Sequence, residues 1–447
     1  MSEEVTLDDF GEAENDATQE PQVSRFWGEV PEGWQLVDGS EVYEVNPNPK
    51  SDEEPSTYIE MDALDTELPY PQYFGQRNAS EYSGKTFTTG DTLFARITPC
   101  TENGKAALVP EMDTEIGIGS TEYAVLSPKR DRLNPWLLYY LSKSYPVHNY
   151  AVSRMRGSTG RQRVPFSVFR RELDIALPPL SEQRKIATVL YTVDQAIEKT
   201  EEIVNKSKQI ATETAQNIAI SGIGHSEFEE IRLGPKKVRV PVEWDVSTFG
   251  DLSDVQQGLQ IAKAKRYREN AENRHQYITV QYLNDPQDPS NNWYIENPRD
   301  TVICESEDIL MTRTGNTGEV ITGVEGAFHN NFFKIEFDRN VLLRDYLVHY
   351  LESKVVQDVL ISYAGTTTIP DLNHGEFFNI PVLLPPISEQ REISQIIGSL
   401  NEKVTHEEEY LSRLQRLKRG LMQDLLSGAI RTTDTTIQVP EEVTQYG

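Results

Sequence analysis

The residues of this chain whose types and spacing could do chemistry are mostly arginines. The stretch 154–171, RMRGSTGRQRVPFSVFRR, holds six arginines and no acid, in a protein whose formal net charge is −28. Arginine presents a planar fork of donors that fits a phosphate or the O6/N7 edge of guanine. Ser158 and Thr159 add hydroxyls that can bond phosphate or base edges, and Gly157 and Gly160 let the backbone bend closely around a surface. Arg154, Arg156, Arg161 and Arg163 are therefore candidates for polyanion contact; the competing expectation is that they pair with nearby surface acids. A later stretch holds Tyr363, Gly365, Thr366, Thr367 and Thr368, with its basic residues elsewhere, at Lys263, Lys265, Arg266 and Arg268. Arg96 and Arg313 each close a strand-like run, GDTLFAR and SEDILMTR, and are followed by Thr98 and by Thr314 and Asn316. A strand end feeding a polar loop is a good place for groove contacts; the competing expectation is an ordinary turn with a solvated arginine.

Catalytic signatures are missing. There is no Asn-Pro-Pro-aromatic motif of the kind that holds an amino group for methyl transfer, and no Asp followed by Glu-x-Lys in the setting of a metal nuclease. Gly84-Lys85-Thr86 matches the end of a phosphate loop, but Ala79 stands where its first glycine is required. Cys100, Cys304 and seven scattered histidines make neither a disulfide framework nor a metal site, and suit a reducing cytosol.

Taken at face value, the acidity argues against nucleic acid. Acids spread over a whole surface are also what a salt-loving cytoplasm produces, and a halophilic source is expected here. In that case local basic islands carry more information than the global sign. No run of 18 apolar residues and no signal segment is found, so a cytoplasmic protein is expected. Residues 1–20 carry eight acids and no base, which predicts a disordered tail.

The elements that must position these residues come in duplicate. LPPLSEQRKI at 177–186 returns as LPPISEQREI at 384–393, eight of ten positions identical and 207 positions apart. PEGW at 31–34 is echoed by PVEW at 241–244, NPWLLYYL at 134–141 by RDYLVHYL at 344–351, and RGST at 156–159 by AGTT at 364–367. The order is the same in both halves, so one unit is used twice. Matching junctions around diverged interiors suggest one scaffold with two targets. The boundaries this gives are a tail at 1–20, mixed strand-and-helix units at 21–179 and 237–386, long helices at 180–222 and 387–428, a polar linker at 223–236 and a frayed C-terminal tail at 429–447.

Each Ser-Glu-Gln-Arg opens a helix, with a serine oxygen for orphan amides and an acid in the first turn. Ile186, Leu190, Val193, Ile197 and Val204 form one stripe; Ile393, Ile397, Leu400, Val404, Leu411, Leu414, Leu421 and Leu425 form a stronger one of heptad spacing. Helices over 181–220 and 388–426 are predicted, each ending at a Ser-Gly. Two such stripes at matching positions are most economically explained by pairing with each other in an intramolecular coiled coil.

The duplicated PP(L/I)SEQR before a long helix, the PxxW openings, the strand-end arginines and the terminal LLSGAIR together resemble the specificity subunits of type I restriction-modification systems, over about residues 25–430. The resemblance implies an α+β fold: two mixed α/β target recognition domains in pseudo-two-fold arrangement, joined by two long helices in an antiparallel coiled coil. Each domain would read one half of a bipartite double-stranded DNA site. Helices of about 40 residues span roughly 60 Å, more than one DNA turn of about 34–36 Å, so the half-sites could lie on separate turns. The resemblance implies no catalysis in this chain. It would dock two modification subunits, which bring S-adenosylmethionine, and restriction subunits, which use ATP and Mg. The alternative reading is a coiled-coil protein-interaction scaffold without DNA specificity.

Overall fold

The computed structural model describes residues 22–50, 54–78, 80, 83–365 and 371–445. The acidic segment 1–20 lies outside the described residues. The chain divides into two units, one reaching to Glu202 and resuming at Glu409, the other Ile203–Glu408.

In the first unit an antiparallel sheet has the order Tyr43–Val45, Tyr123–Pro128, Thr92–Ala95, Ala106–Leu108. Its strands are apolar on both faces because the sheet separates two cores. Phe94, Ala106, Leu108, Ala124 and Leu126 face a large core with Trp136 and Phe169. Their neighbours Leu93, Ala107, Tyr123 and Val125 face a smaller core with Ile59 and Phe87. Alternation of the side chains along a strand makes this division. A second sheet, in the order Gly75–Arg77, Ser56–Ile59, Ile116–Gly119, Lys85–Thr88, carries one parallel pairing between its two central strands.

The helix Pro135–Lys143 is packed into the large core. Asn134 caps it, its side-chain oxygen accepting from the amides of Trp136 (3.0 Å) and Leu137 (3.3 Å), and Pro135 fills the first turn.

The second unit repeats this plan. Its first sheet runs Ser253–Gln257, Phe332–Phe337, Ile309–Thr312, Val320–Ile321; its second runs Tyr294–Glu296, Arg274–Ile278, Gly326–Phe328, Ile303–Cys304, again with one central parallel pairing. Ile309, Met311, Phe333 and Ile335 face the large core, and Leu310 and Phe332 face the small one.

Each unit is closed by a two-stranded ladder between its start and its end. Gln35–Asp38 pairs with Asp174–Leu177, and Asp245–Thr248 with Pro381–Leu384. These ladders bring the PxxW and PPxSEQR motifs together. The Trp34 indole donates to Glu182 at 3.0 Å, and the Trp244 indole to Glu389 at 2.9 Å. The adjacent glutamines clamp the helix that follows the sheets. Gln183 accepts from the Asn134 amide (2.8 Å) and donates to the Arg132 and Pro178 carbonyls. Gln390 accepts from the Leu343 amide (2.8 Å) and donates to the Val341 and Pro385 carbonyls.

The predicted long helices form as Leu180–Ser221 and Ile387–Leu426. Each contributes one half to each unit, and within each unit the two halves run antiparallel. In the first unit Ile186 and Leu190 share the core with Leu425, and Asp194 meets Lys418 at 2.6 Å. In the second, Ile220 shares the core with Ile393 and Ile397, and Lys208 meets Glu408 at 2.6 Å. Of the stripe residues, Ile186, Leu190, Ile197, Val204, Ile393, Ile397 and Leu425 are buried, while Val193, Leu400, Val404, Leu411, Leu414 and Leu421 are half-buried.

Both helices end against the tryptophan of a PxxW motif. Gly222 and Gly428, at φ of +66° and +72°, are needed for conformation and for space. A Cβ at Gly428 would stand 2.3 Å from Pro31 Cγ, and one at Gly222 would stand 2.8 Å from the Trp244 ring.

Two sequence expectations are corrected. The polar linker 223–236 contains most of a hairpin, Phe228–Leu233 with Lys236–Pro241. Its alternation buries Leu233 and Val240 against the second unit's core. The segment 429–447, expected to fray, is docked on the first unit as far as it is described. Arg431 pairs with Glu182 (2.8 and 2.9 Å), Trp136 Nε1 donates to the Glu442 carbonyl (2.9 Å), and Val443 is buried.

Candidate nucleic-acid interface

In the first unit the site is built on the end of the strand Thr92–Ala95. The Arg96 amide donates to the Glu122 carbonyl (3.0 Å), and the Arg96 carbonyl accepts from the Val164 amide (2.8 Å). This second bond pins the loop 154–164 to the strand end. The loop is itself a tight hairpin, closed by reciprocal backbone bonds between Arg156 and Arg163 at 3.0 and 2.9 Å and turned by Arg161 amide to Ser158 carbonyl at 2.9 Å.

Glu122 gathers two of the predicted arginines. Arg163 Nε lies 2.9 Å from both carboxylate oxygens and its Nη2 2.7 Å from one of them. Arg96 Nη1 reaches the other oxygen at 3.4 Å, its Nε donates to the Val164 carbonyl at 2.8 Å, and its guanidinium stands 4.1 Å over the Phe166 ring. Burial lowers the Arg96 pKa, and the Glu122 charge opposes the shift. Lys85 and Arg170 also approach the Phe166 ring, at 5.1 and 5.7 Å. The Lys85 pKa is lowered by burial first and then by the Arg96 and Arg170 charges. This is a concentration of positive charge around one aromatic ring.

Arg154 is turned away to Tyr150 (2.8 Å to the hydroxyl) and to Glu172 at 3.5 Å. Arg154 and Arg163 are thus paired with acids, and Arg96 is a covered, carboxylate-paired arginine rather than a solvated one. Arg156, Ser158, Thr159 and Arg161 form the exposed tip, and among the described residues Arg156 and Arg161 have no side-chain hydrogen bond or ion pair. Thr98 is bonded to Glu102 at 2.8 Å inside the neighbouring turn.

In the second unit Arg313 occupies the equivalent strand end. Its amide donates to the Asn331 carbonyl (2.7 Å), its carbonyl accepts from Leu372 (2.9 Å), and its Nη2 meets both oxygens of Asp371 at 2.8 and 3.1 Å. Thr314 pairs with Asp371 in a backbone bridge, and the Asn316 carbonyl accepts from the Thr312 hydroxyl. The side chain of Asn316 is exposed, on the rim of an open cavity of about 510 Å³ lined also by Gly315, Thr317 and Gln357.

Among the described residues, Tyr363, Lys263, Lys265 and Arg266 are not partners of Arg313. Tyr363 is half-buried, packed on the unit's core and beside the hairpin turn at Gly234. Thr366, Thr367 and Thr368 lie outside the described residues. Lys263 and Lys265 are exposed on a short turn beside the second sheet. Arg266 is held by the Ile261 carbonyl and stands 5.0 Å over Tyr277. Arg268 stands 3.4 Å over Trp293 and donates to three carbonyls, of Pro289, Ser290 and Asn292. The residues missed by sequence reasoning are Glu122, Phe166, Lys85 and Asp371, which come from elements distant along the chain.

Among the described residues no cluster of His, Cys, Asp and Glu could hold a metal ion, and no described helix is long and apolar enough to cross a membrane.

The comparisons with known proteins agree on one family. Residues 31–206 and 241–416 both match the type I restriction modification DNA specificity domain. The putative type I restriction enzyme MjaX specificity subunit of Methanocaldococcus jannaschii is 22% identical over 427 residues, 90% of this chain and 95% of that protein. The type I restriction enzyme EcoAI specificity subunit of Escherichia coli is 35% identical over 162 residues, 35% of this chain and 27% of that protein. Among solved structures, one from work on complex assembly and conformational transition of the type I R-M system has a similar fold, with a TM-score of 0.59 at 20% identity over 90% of this chain and 99% of that one.

Proposed function

This chain belongs to the type I restriction modification DNA specificity family, and from that membership we propose how its two units divide the work. The chain is a DNA-recognition subunit of a type I restriction-modification system and is non-catalytic, as its family and relatives are. The interaction-scaffold alternative is not favoured, because both halves match a DNA specificity domain. Its partners are DNA and, in general terms, methyltransferase and restriction subunits.

The finer reading is that each unit reads one half of a bipartite site. One observation carries it: both units place an arginine at the same strand end, beside a bridged position that is Arg163 in one and Asp371 in the other. Arg96 with the 154–164 loop, and Arg313 with Thr314 and Asn316, are the proposed contact regions, together with the sequence candidates Tyr363, Thr366, Thr367 and Thr368. Exposed Arg156 and Arg161 suit phosphates, which position a protein without reading sequence. Lys263, Lys265 and Arg266 suit a second set of backbone contacts. The long helices set the separation of the half-sites and offer the surface for two modification subunits. S-adenosylmethionine, ATP and Mg belong to the partners in this scheme.

A net charge of −28 suits a cytoplasm of high potassium. In such salt counterion release contributes little, so base contacts and partner subunits supply more of the affinity.

The test is genome-wide adenine methylation, by single-molecule sequencing, in cells with and without this chain. The expected result is loss of one split motif, two short blocks around a fixed gap, when the chain is absent. An unchanged methylation pattern in a strain with active modification subunits would overturn the reading.

A further inference from the structure

The internal repeat supplies two versions of one local structure, and hydrogen bonds set the correspondence. Arg96 donates to the Glu122 carbonyl and accepts from Val164; Arg313 donates to the Asn331 carbonyl and accepts from Leu372. Backbone bridges join Ile97 to Arg163 and Thr314 to Asp371. Arg96 therefore corresponds to Arg313, Glu122 to Asn331, and Arg163 to Asp371.

The strand-end arginine is constant, well covered (side-chain exposure 15% and 18%), and partnered by a carboxylate in both units. The carboxylate comes from different places. In the second unit it is Asp371 itself. In the first it is Glu122, which leaves the Asp371 position free to carry an arginine. Arg163 is more open than Arg96, with 39% of its side chain exposed. The constant arginine holds the loop; the position that changes sign faces outward.

The way Arg163 is held points to its use. Glu122 takes the side edge of the guanidinium, through Nε and Nη2. Nη1 reaches the Arg161 carbonyl at 3.3 Å. One hydrogen each on Nη1 and Nη2 remains beyond these contacts, and two neighbouring N–H groups of a guanidinium match guanine O6 and N7. The planar group is also fixed before any ligand arrives, which reduces the entropy lost on binding.

Resting on the DNA-recognition reading above, we propose that Arg163, oriented by Glu122, reads a guanine in the half-site of the first unit. Glu122 is the positioning residue. The second unit, with Asp371 at this position, makes no such requirement there.

The experiment expresses the full chain with its own modification subunits in a host lacking their methylation, and sequences the methylated genome. Wild type is expected to give a split motif with a required guanine in one block, favoured over other bases by roughly 5- to 150-fold. In R163A that preference falls below about 3-fold at that one position, with the gap and the other block unchanged. In R163Q the preference moves toward adenine, because an amide pairs with adenine N6 and N7. E122Q weakens the guanine preference without moving it, which a purely structural role would not do.

An R163A motif identical to wild type at every position overturns the inference. So does an even loss of discrimination across both blocks, which marks a phosphate contact. Assembled R163A and R163Q complexes that methylate nothing also overturn it, because the loop is then structural. If the wild-type chain gives no split motif, it is the family-level reading that fails.

Discussion

Trp34 donates its indole proton to Glu182, Nε1 to Oε2 at 3.0 Å, across 148 positions of sequence. The same carboxylate takes two donors of Arg431, Nε at 2.8 Å and Nη2 at 2.9 Å, from the C-terminal segment. Three distant segments therefore meet on one buried side chain. Burial alone would raise the Glu182 pKa; Arg431, Trp34 and the Thr432 amide overcome it and hold the group below its ordinary value.

Replacing Glu182 with alanine is expected to cost the first unit about 2–4 kcal/mol, because an arginine and an indole lose a charged acceptor. Urea unfolding of the full chain measures it. The contribution of this carboxylate is present above its unfolded pKa and disappears as acid protonates it in the native state. The wild-type and E182A curves should therefore converge on acidification. Equal stability of the two at neutral pH would refute the clasp.

Lys418 and Asp194 form a buried pair on the facing helices, with Tyr140 donating to the second carboxylate oxygen at 2.6 Å. Removing one partner strands a buried charge, at about 3–5 kcal/mol. K418M should show that loss. The double variant K418M/D194L should regain at least half of it, since an apolar pair of similar size is often neutral. A double variant no better than the single would show that the charges were not paired.

Deleting 429–447 removes the Arg431 clasp, the Glu442 carbonyl that accepts from Trp136, and the Thr432, Thr433 and Thr435 carbonyls bonded by Lys185. The first unit should lose roughly 3 kcal/mol or more. Hydrogen exchange should accelerate in the helix Pro135–Lys143 and leave the sheets of the second unit unaffected. Unchanged protection at Trp136 would mean the segment is dispensable.

The tyrosines Tyr139, Tyr140, Tyr346 and Tyr350 have hydroxyl pKa values pushed well above the ordinary 10.0, by burial first. The unfolded chain loses these protons near the ordinary value while the native chain keeps them. Stability is therefore full below about pH 10 and falls above it. Melting temperature should drop beyond that point, with tyrosinate absorbance rising together with unfolding. Tyrosinate appearing well before unfolding would contradict this burial.

The architecture was legible where a strong local pattern spoke for itself. Heptad spacing and a terminal Ser-Gly located both long helices, and the repeat of PPxSEQR marked the start of each. The site was less legible, because its partners are set by sheet topology. Glu122 stands 41 positions from Arg163, and nothing in the local sequence of either predicts their contact. The hairpin at 228–241 was hidden by its many charges, although Ile231, Leu233, Val238 and Val240 already alternate. The C-terminal segment is polar by composition and docks mainly through backbone carbonyls, which carry no residue-type signal.

The ladder between Gln35–Asp38 and Asp174–Leu177 has a consequence for inheritance. It makes the recognition body an insert whose entry and exit are hydrogen-bonded neighbours. A different body could be spliced between the same two strands, provided it kept the contacts that the helix Pro135–Lys143 makes with the long helices, such as Tyr140 to Asp194 and Asn134 to Gln183. The second unit offers the same socket between Asp245–Thr248 and Pro381–Leu384. The same pair of seams, present twice in one chain, lets a new vocabulary enter by recombination without a new grammar.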